Sequence, residues 1–432
     1  MQVTVENGEG LVRRMRVELS SEEIEQEVDK RLRDFARQAR LPGFRPGKAP
    51  VRLLRQRYGE SVRDEVFSET VQKTYPEAIS QQELRPAGMP EIEPDIDQAA
   101  GRYAYVANFE VMPQVELVGL AGREIKRPVA EVTEADVDAM IERLREQRKT
   151  WSPVDRQAAD GDRLTVDFQG TIDGEFFQGG SAEGTQIVLG EGRMIADFEA
   201  QLVGAAAGDE RVVEVTFPED YHVAELAGKP ARFQVQVKEV AEVELPPLDA
   251  DFMAAFDVED GDMDKFRADI RGNMERELKQ RIEAQVKEQV LDALVEANPM
   301  EVPQALVSEQ IKGFKEQMQR NMGGGAGGFQ LPDDIFADSA RRRVVLALLA
   351  GEAVRRHEIT ADPERVRAAV EEMADTYDTP QEVIDYYYAD PQRLQQIEAM
   401  VTEEMMVERL LEEATVVDEP STFEAVTRSE RD

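Results

Sequence analysis

Apolar and polar residues alternate along the first 19 residues, on both sides of Asn7-Gly8-Glu9-Gly10, and this pattern predicts a β-hairpin. Ser20 then begins a predicted helix, with Glu23 placed three residues later as its capping-box partner. Pro42-Gly43 ends this helix, and a second helix is predicted from Pro50 to Gly59. The first helix has one apolar stripe, made of Ile24, Val28, Leu32 and Phe35.

The next residues complete a predicted N-terminal domain. A helix is predicted from about Ser61 to Leu84, and residues 91–111 alternate as strands do. Residues 1–112 are therefore expected to form an α+β domain. Residues 113–149 are predicted to be a linker that contains a helix starting at Thr133, with Asp136 in its first turn.

Short alternating runs recur in residues 150–246, where glycine also becomes frequent. They predict a small antiparallel sheet wrapped around one helix, which follows a turn at Gly192 and ends near Leu202. The runs are 163–168, 211–217 and 231–237.

Residues 247–432 have an almost wholly helical pattern. Gly323–Gly328 predicts a flexible turn, and the chain from Asp418 onward is expected to be a mobile tail. The predicted fold class is thus multidomain α+β, in which a small antiparallel β domain with one helix separates the N-terminal α+β domain from an all-α domain with long helical arms. The helices of this last domain are predicted over 274–295, from 302 to 318, and over 341–354, 363–376, 380–388 and 391–414.

Composition excludes several classes of function. The 432 residues carry a formal net charge of −37 and no cysteine, so thiol chemistry is absent and nucleic acid is not expected to cover the whole surface. The N-terminus lacks a signal-peptide pattern, and no run of about 18 apolar residues predicts a membrane span. His222 and His357 are the only histidines, so neither a histidine-rich metal site nor a Ser-His-Asp triad is expected, and no cofactor is predicted.

One basic segment stands out on this acidic chain. Residues 30–57 contain ten lysines and arginines against a single acid, Asp34. At its centre, Phe44 lies between two prolines and beside cations that can contact phosphates. Although most basic turns are simply solvated, this contrast in charge indicates a polyanionic partner.

The residues at the centre of this segment resemble the ribosome-docking signature of the bacterial trigger factor family, Gly-Phe-Arg-x-Gly-Lys-x-Pro. Pro46 stands where the family often has a basic residue. The resemblance implies contact with a large-subunit ribosomal protein and ribosomal RNA beside the exit tunnel, led by Phe44 and Arg45. The docking residues that it implies are Gly43, Phe44, Arg45, Pro46, Gly47 and Lys48.

Residues 150–246 are similar to an FKBP-type prolyl isomerase. The matching motifs are Val166–Gly170, Asp173–Phe177, Leu189-Gly190, Met194-Ile195, Phe198-Glu199 and Phe217–Tyr221. Two positions depart from that family: Gln178 replaces an acid, and Phe198 replaces a tryptophan. The resemblance implies catalytic residues Phe168, Phe177, Ile195, Phe198, Tyr221 and Phe233, with Met194 and Gln178 also in the substrate pocket.

An aromatic pocket suits this reaction because rotation about X-Pro moves no proton and breaks no bond. The twisting amide loses charge separation, so a dry pocket favours it over the planar form. Tyr221 is expected to donate a hydrogen bond to the substrate carbonyl. Asp167 is interpreted as a surface or hydrogen-bonding residue and not as a general base. On composition alone, the same aromatics also fit the core of a small β domain.

The resulting hypothesis is a cytoplasmic, ribosome-associated chaperone that binds nascent and unfolded polypeptides and isomerises X-Pro bonds, with no membrane partner. Ten of the sixteen methionines lie in residues 247–432 and suit varied apolar clients, although most are expected in helix cores. Dimerisation of the free protein is left open. The alternatives are a stand-alone isomerase with a helical dimerisation domain and a binding scaffold with an inactive pocket.

Overall fold

The computed structural model describes residues 1–38, 51–97, 101–219, 221, 223, 225–258, 260–321, 332–375, 377 and 379–428. The predicted docking loop at 43–48 and the predicted glycine-rich turn at 323–328 lie outside these residues. The chain divides into two compact units, Met1–Arg127 with Ala284–Asp418 and Pro128–Glu283 with Glu419–Asp432.

A four-stranded antiparallel sheet forms the N-terminal part of the first unit, in the order β1-β2-β4-β3. The predicted hairpin is confirmed, because β1 pairs antiparallel with β2 across Asn7–Gly10. Met15 and Val17 from β2 and Tyr105 from β4 are fully buried against the helices. The elements are β1 (Gln2–Asn7), β2 (Val12–Leu19), α1 (Ser21–Gln38), α2 (Val51–Gln81), β3 (Glu91–Asp97) and β4 (Arg102–Glu110).

The predicted end of a helix at Gly59 is wrong. Helix α2 runs without a break from Val51 to Gln81. Leu54 and Val66 are buried on one side of it, and Tyr58 and Val62 pack against the same core. Because these apolar residues continue the four-residue spacing across Gly59, their burial outweighs the roughly 1 kcal/mol that glycine costs inside a helix.

A side-chain cap begins the helix in the segment between the two sheets. The predicted start at Thr133 is confirmed as a complete capping box, in which the Asp136 N–H donates to Thr133 Oγ1 at 3.3 Å and the Thr133 N–H donates to Asp136 Oδ2 at 2.8 Å. The elements of this segment are β5 (Glu124–Val129), α3 (Glu134–Gln147) and β6 (Thr150–Pro153).

The predicted small sheet around one helix is confirmed as a five-stranded antiparallel sheet, ordered β6-β10-β7-β8, with β9 also paired to β10. The Gln201 amide binds the helix to the sheet, since its Nε2 donates to the Glu214 carbonyl at 2.8 Å and its Oε1 accepts the Glu214 N–H at 3.2 Å. The elements are β7 (Arg163–Ile172), β8 (Glu175–Val188), α4 (Ala196–Leu202), β9 (Glu210–Thr216) and β10 (Pro230–Glu244).

Asp162, just before β7, is a buried carboxylate with a charged partner. Arg156 donates to its two oxygens at 2.5 and 3.0 Å, and the Ala159 N–H donates at 2.7 Å. The Arg156 guanidinium, and secondarily the Ala159 N–H, holds the pKa of the Asp162 carboxyl below its ordinary value, although burial opposes this shift.

Asp162→Asn should lower the free energy of unfolding of this unit by about 2 kcal/mol at pH 7, because it replaces a buried carboxylate that accepts charge-assisted hydrogen bonds from Arg156. The folded-state pKa is lowered, so the stabilisation is present above the unfolded pKa of about 4 and is lost as the pH falls through the folded value. Denaturant unfolding between pH 7 and pH 2 measures this. Equal acid sensitivity in the variant and the parent would contradict the assignment.

The predicted helices of residues 247–432 are confirmed, each within a few residues of its expected bounds except at the starts of α6 and α8. Helix α6 begins eleven residues earlier than expected, at Met263, and includes the buried residues Phe266 and Ile270. The elements are α5 (Ala250–Ala254), α6 (Met263–Ala297), α7 (Gln304–Asn321), α8 (Asp334–Arg356), α9 (Pro363–Ala374), α10 (Pro380–Tyr388) and α11 (Pro391–Leu411).

The predicted mobile tail is also wrong for residues 418–428, the part of it that the structure describes. Strand β11 (Thr415–Pro420) pairs with β5, and a final helix α12 (Phe423–Thr427) follows it. Phe423 and Val426 are buried, at 7% and 3% exposure. They join a cluster that includes Phe266 of α6, so apolar burial holds this charged segment in place.

Two further side-chain amides hold the segment before β5 and β5 itself against α6. Asn298 is buried, accepts the Val118 N–H at 2.6 Å and donates to the Val118 carbonyl at 3.0 Å. Gln289 pairs in the same way with the backbone of Lys126, at 3.0 and 2.8 Å. Each amide satisfies a backbone donor and a backbone acceptor together, as a neighbouring strand would.

Candidate functional site

Three phenylalanines from different elements form the floor of an aromatic cluster. Phe168 of β7, Phe198 of α4 and Phe233 of β10 are buried, with exposures of 9%, 1% and 6%. Their ring centroids are 5.4 to 6.0 Å apart, and all three pairs meet edge to face. Such contacts fix the rings against one another, so the floor is rigid.

A second row of aromatics lies against this floor and is partly open to solvent. The half-buried Phe177 of β8 contacts Phe233 and Phe217, at 6.1 and 6.0 Å between centroids. Phe217 in turn contacts the half-buried Tyr221 at 4.8 Å. Phe217 belongs to one of the motifs found in the sequence but was not predicted to line the pocket, where it joins Phe177 to Tyr221.

Two glycines make room for these rings. Gly170 is the register partner of Phe233, and a Cβ at Gly170 would lie only 2.8 Å from Cδ1 of that ring. A Cβ at Gly180 would lie 2.7 Å from Cζ of Phe177. Both glycines are therefore required by the packing of the aromatic rings and not by their own backbone angles. No pattern in the sequence singles out Gly180.

The segment between β8 and α4 supplies two further apolar side chains. Met194 and Ile195 are half-buried and pack against the buried core that contains the aromatic floor. The Ile195 carbonyl accepts the Phe198 N–H at 2.8 Å, which joins this segment to the floor. The buried Glu199 carboxylate accepts three backbone N–H groups from the same segment, those of Gly190, Gly192 and Met194.

The structure thus brings together seven of the eight residues predicted for the pocket. The exception is Gln178, which follows Phe177 in β8 and is exposed. Adjacent residues of a strand point to opposite faces, so Gln178 does not share the side of Phe177. It lies outside the described apolar cluster, and its role in substrate binding stays a prediction.

Asp167 lies beside the cluster as an ion-paired surface residue. Lys238 Nζ is 2.6 Å from its Oδ2, and the Gly184 N–H donates to its Oδ1 at 2.7 Å. The Lys238 ammonium, with the Gly184 N–H second, lowers the pKa of the Asp167 carboxyl. A carboxylate with a lowered pKa is a weak base, which agrees with the interpretation of Asp167 as a non-catalytic residue.

The basic segment has less available charge than its sequence indicates. Arg31 pairs with Glu65 and Glu69, and Arg55 pairs with Glu25 and Asp29, across the α1–α2 contact. These arginines therefore hold the two helices together in addition to facing outward. In the described part of the basic segment, Arg33 and Arg52 are exposed and make no ion pair. Residues 43–48 lie outside the described residues.

The described residues offer neither a membrane span nor a metal site. No helix among them is long and apolar enough to cross a membrane. No group of three or more His, Asp or Glu residues within the same described ranges is arranged to hold a metal ion.

Comparison with known proteins decides the family. The profile of bacterial trigger factor protein matches residues 1–144, and that of its C-terminus matches residues 262–412. The chain is 46% identical to the trigger factor of Azotobacter vinelandii over 428 residues, which covers 99% of this chain and 98% of that protein. The chain belongs to the bacterial trigger factor family. It is therefore a ribosome-associated chaperone that binds nascent chains.

The match extends through the middle of the chain. The FKBP-type peptidyl-prolyl cis-trans isomerase profile matches residues 154–238, so this trigger factor family member has prolyl isomerase activity. The trigger factor of Teredinibacter turnerae is 45% identical over 432 residues, covering 99% of this chain and 98% of that protein. A solved trigger factor chaperone aligns with 95% of this chain and 99% of its own, at 18% identity and a TM-score of 0.49, and adds nothing to the sequence match.

Proposed function

We propose that the open side of the aromatic cluster is the prolyl isomerase pocket. The observation that supports this proposal is the layering of the cluster. Phe168, Phe198 and Phe233 form a buried floor, while the half-exposed side chains above them form a wall that a peptide can reach. This wall consists of Phe177, Met194, Ile195 and Tyr221.

The pocket acts on the amide by its environment. The barrier to peptide-bond rotation is about 18–20 kcal/mol because rotation breaks amide resonance. The twisted amide is less polar than the planar amide. It therefore loses less hydration free energy than the planar form when aromatic rings exclude water from it. A rigid floor also holds the proline ring while the preceding carbonyl rotates, which lowers the entropic part of the barrier.

Tyr221→Phe tests the part played by the phenol in this pocket. The ring and its 4.8 Å contact with Phe217 are retained, and only the hydroxyl is removed. We expect kcat/KM for a proline tetrapeptide to fall about 3- to 10-fold, the value of roughly one hydrogen bond, with an unchanged melting temperature. A protease-coupled assay measures the rate. A variant as active as the parent would exclude a hydrogen bond from Tyr221 to the rotating amide.

The ribosome contact is assigned to residues 43–48. The family signature in these residues and the excess of cations around them support a contact with a large-subunit protein and RNA at the exit tunnel. The exposed Arg33 and Arg52 lie in the helices on either side and add positive charge without internal partners among the described residues. Since ribosomes translate in the cytoplasm, the chain is assigned to that compartment.

Client binding is assigned to exposed apolar side chains of the helical region. Met253, Met274 and Met406 are buried, whereas Met318, Met373 and Met400 are each at least 36% exposed. The exposed methionines are accompanied by exposed aromatics, and such side chains adapt to different apolar segments. Those aromatics are Tyr377, Tyr386 and Tyr388.

Dimerisation of the ribosome-free protein remains a hypothesis, which sedimentation velocity at increasing protein concentration tests.

A further inference from the structure

Glu199 is an unusual buried acid. It is 5% exposed and makes no ion pair within the described part of the chain. A carboxylate without a cation is costly to bury unless hydrogen bonds replace its water. Here three backbone donors replace it: Gly190 and Gly192 donate to Oε2 at 3.0 and 3.2 Å, and Met194 donates to Oε1 at 2.8 Å.

These donors all belong to the segment that carries the pocket wall. Gly190, Gly192 and Met194 are alternate residues, so the segment curls around one carboxylate. The bond to the Met194 N–H fixes the backbone at Met194, which directly precedes Ile195. Phe198, the most buried ring of the floor, is the residue before Glu199 in α4. The Glu199 side chain thus joins the helix that carries Phe198 to the segment that carries Met194 and Ile195.

We propose that Glu199 is a positioning residue of the isomerase pocket, which holds Met194 and Ile195 at the place where the peptide binds. The inference rests on the pocket placement proposed above. A glutamate side chain suits this role because its two carboxylate oxygens together accept from all three donors, and it lies in the first turn of α4.

Glu199→Gln changes the hydrogen-bond acceptors of the side chain and keeps its size and shape almost unchanged. The glutamine amide keeps one acceptor oxygen, and its NH2 group faces an N–H donor in either orientation. At least one of the three bonds is therefore lost, and the wall relaxes. A displacement of about 1 Å can cost up to about 100-fold in rate, so we expect kcat/KM to fall at least tenfold.

The readout that separates positioning from stability is KM. A partly unfolded enzyme has a lower apparent kcat and an unchanged KM, because fewer molecules are active. A displaced wall changes the contacts that the pocket makes with the bound peptide, and this raises KM. We therefore expect KM for a proline tetrapeptide to rise several-fold in Glu199→Gln, at a temperature at which circular dichroism shows the full chain to be folded.

Two companion variants complete the experiment. Asp162→Asn alters another buried acid whose partners, Arg156 and Ala159, lie outside the pocket, and it should lower stability without changing KM. Gly192→Ala places a side chain at φ 66° in open space, which strains the segment while leaving Glu199 intact. It should raise KM as Glu199→Gln does, and it tests the proposal if Glu199→Gln fails to fold.

The outcomes distinguish failure of the positioning role from failure of the pocket. If the parent chain is active and both Glu199→Gln and Gly192→Ala keep its KM, the positioning role is overturned. The assignment of the pocket is then unaffected. An equal rise of KM in Asp162→Asn would also overturn the positioning role, since the effect would then be general. If instead a variant that lacks the Tyr221, Phe177 and Met194 side chains isomerises at the parental rate, the assignment of the pocket is overturned.

Discussion

Replacement of both Phe44 and Arg45 by alanine should abolish co-sedimentation of the chain with ribosomes while leaving peptide isomerisation at the parental rate. In the proposed docking contact, the phenylalanine is assigned the apolar contact with a protein partner and the arginine is assigned the charged contact with phosphate. Each of the two anchors is expected to contribute about 2 kcal/mol or more, so their joint loss of about 4 kcal/mol weakens binding about 1,000-fold.

Salt and neighbouring charges provide the controls for this docking prediction. Binding of the parent should weaken steeply with added salt, because contacts to phosphates release counterions. Arg33→Ala with Arg52→Ala removes two exposed cations but no aromatic anchor, and should reduce both affinity and the salt dependence without abolishing binding. Parental pelleting of the Phe44/Arg45 variant would refute the assignment to residues 43–48.

Phe198→Ala should remove most isomerase activity and also destabilise the unit that contains the pocket. The ring is 1% exposed and contacts both Phe168 and Phe233, so its loss leaves a cavity in the floor. Large-to-small changes of buried phenylalanine cost about 3–5 kcal/mol. Calorimetry of the full chain should show one transition at a lower temperature, whereas ribosome docking and the holding of unfolded protein should persist.

Phe176→Ala is the matched control for that variant. Phe176 is 75% exposed and adjoins the pocket residue Phe177 in β8. An exposed side chain of this kind is expected to change stability by no more than about 0.5 kcal/mol. If Phe198→Ala were as stable and as active as Phe176→Ala, the buried floor would have no part in the reaction.

Most elements can be predicted from the sequence because they depend on interactions between residues that are close together in the chain. The hairpin at Asn7–Gly10 and the capping box at Thr133 depend on residues a few positions apart. The local pattern at Gly59 predicts a helix end, whereas the burial of Leu54 and Val66 against a sheet that is distant in sequence decides the course of α2. The tail was misinterpreted for the same reason, since Phe423 finds its core in elements far away in sequence.

The candidate pocket likewise combines residues that sequence motifs predict with residues whose role depends on the fold. Its aromatic residues could be named from the order of motifs, but Gly180 and Phe217 acquire their importance only when strands bring Phe177 beside them. The charge of the basic segment was overestimated because a count of lysines and arginines ignores partners. Arg31 reaches Glu69, 38 residues away, only after α1 and α2 have packed.

The side-chain amides of Gln201, Gln289 and Asn298 join segments through uncharged hydrogen bonds. Such bonds do not titrate near neutrality and are little affected by ions, whereas contacts with phosphates are strongly screened. A concentrated salt wash should therefore weaken the proposed contact with the ribosome while the segments joined by these three amides stay together.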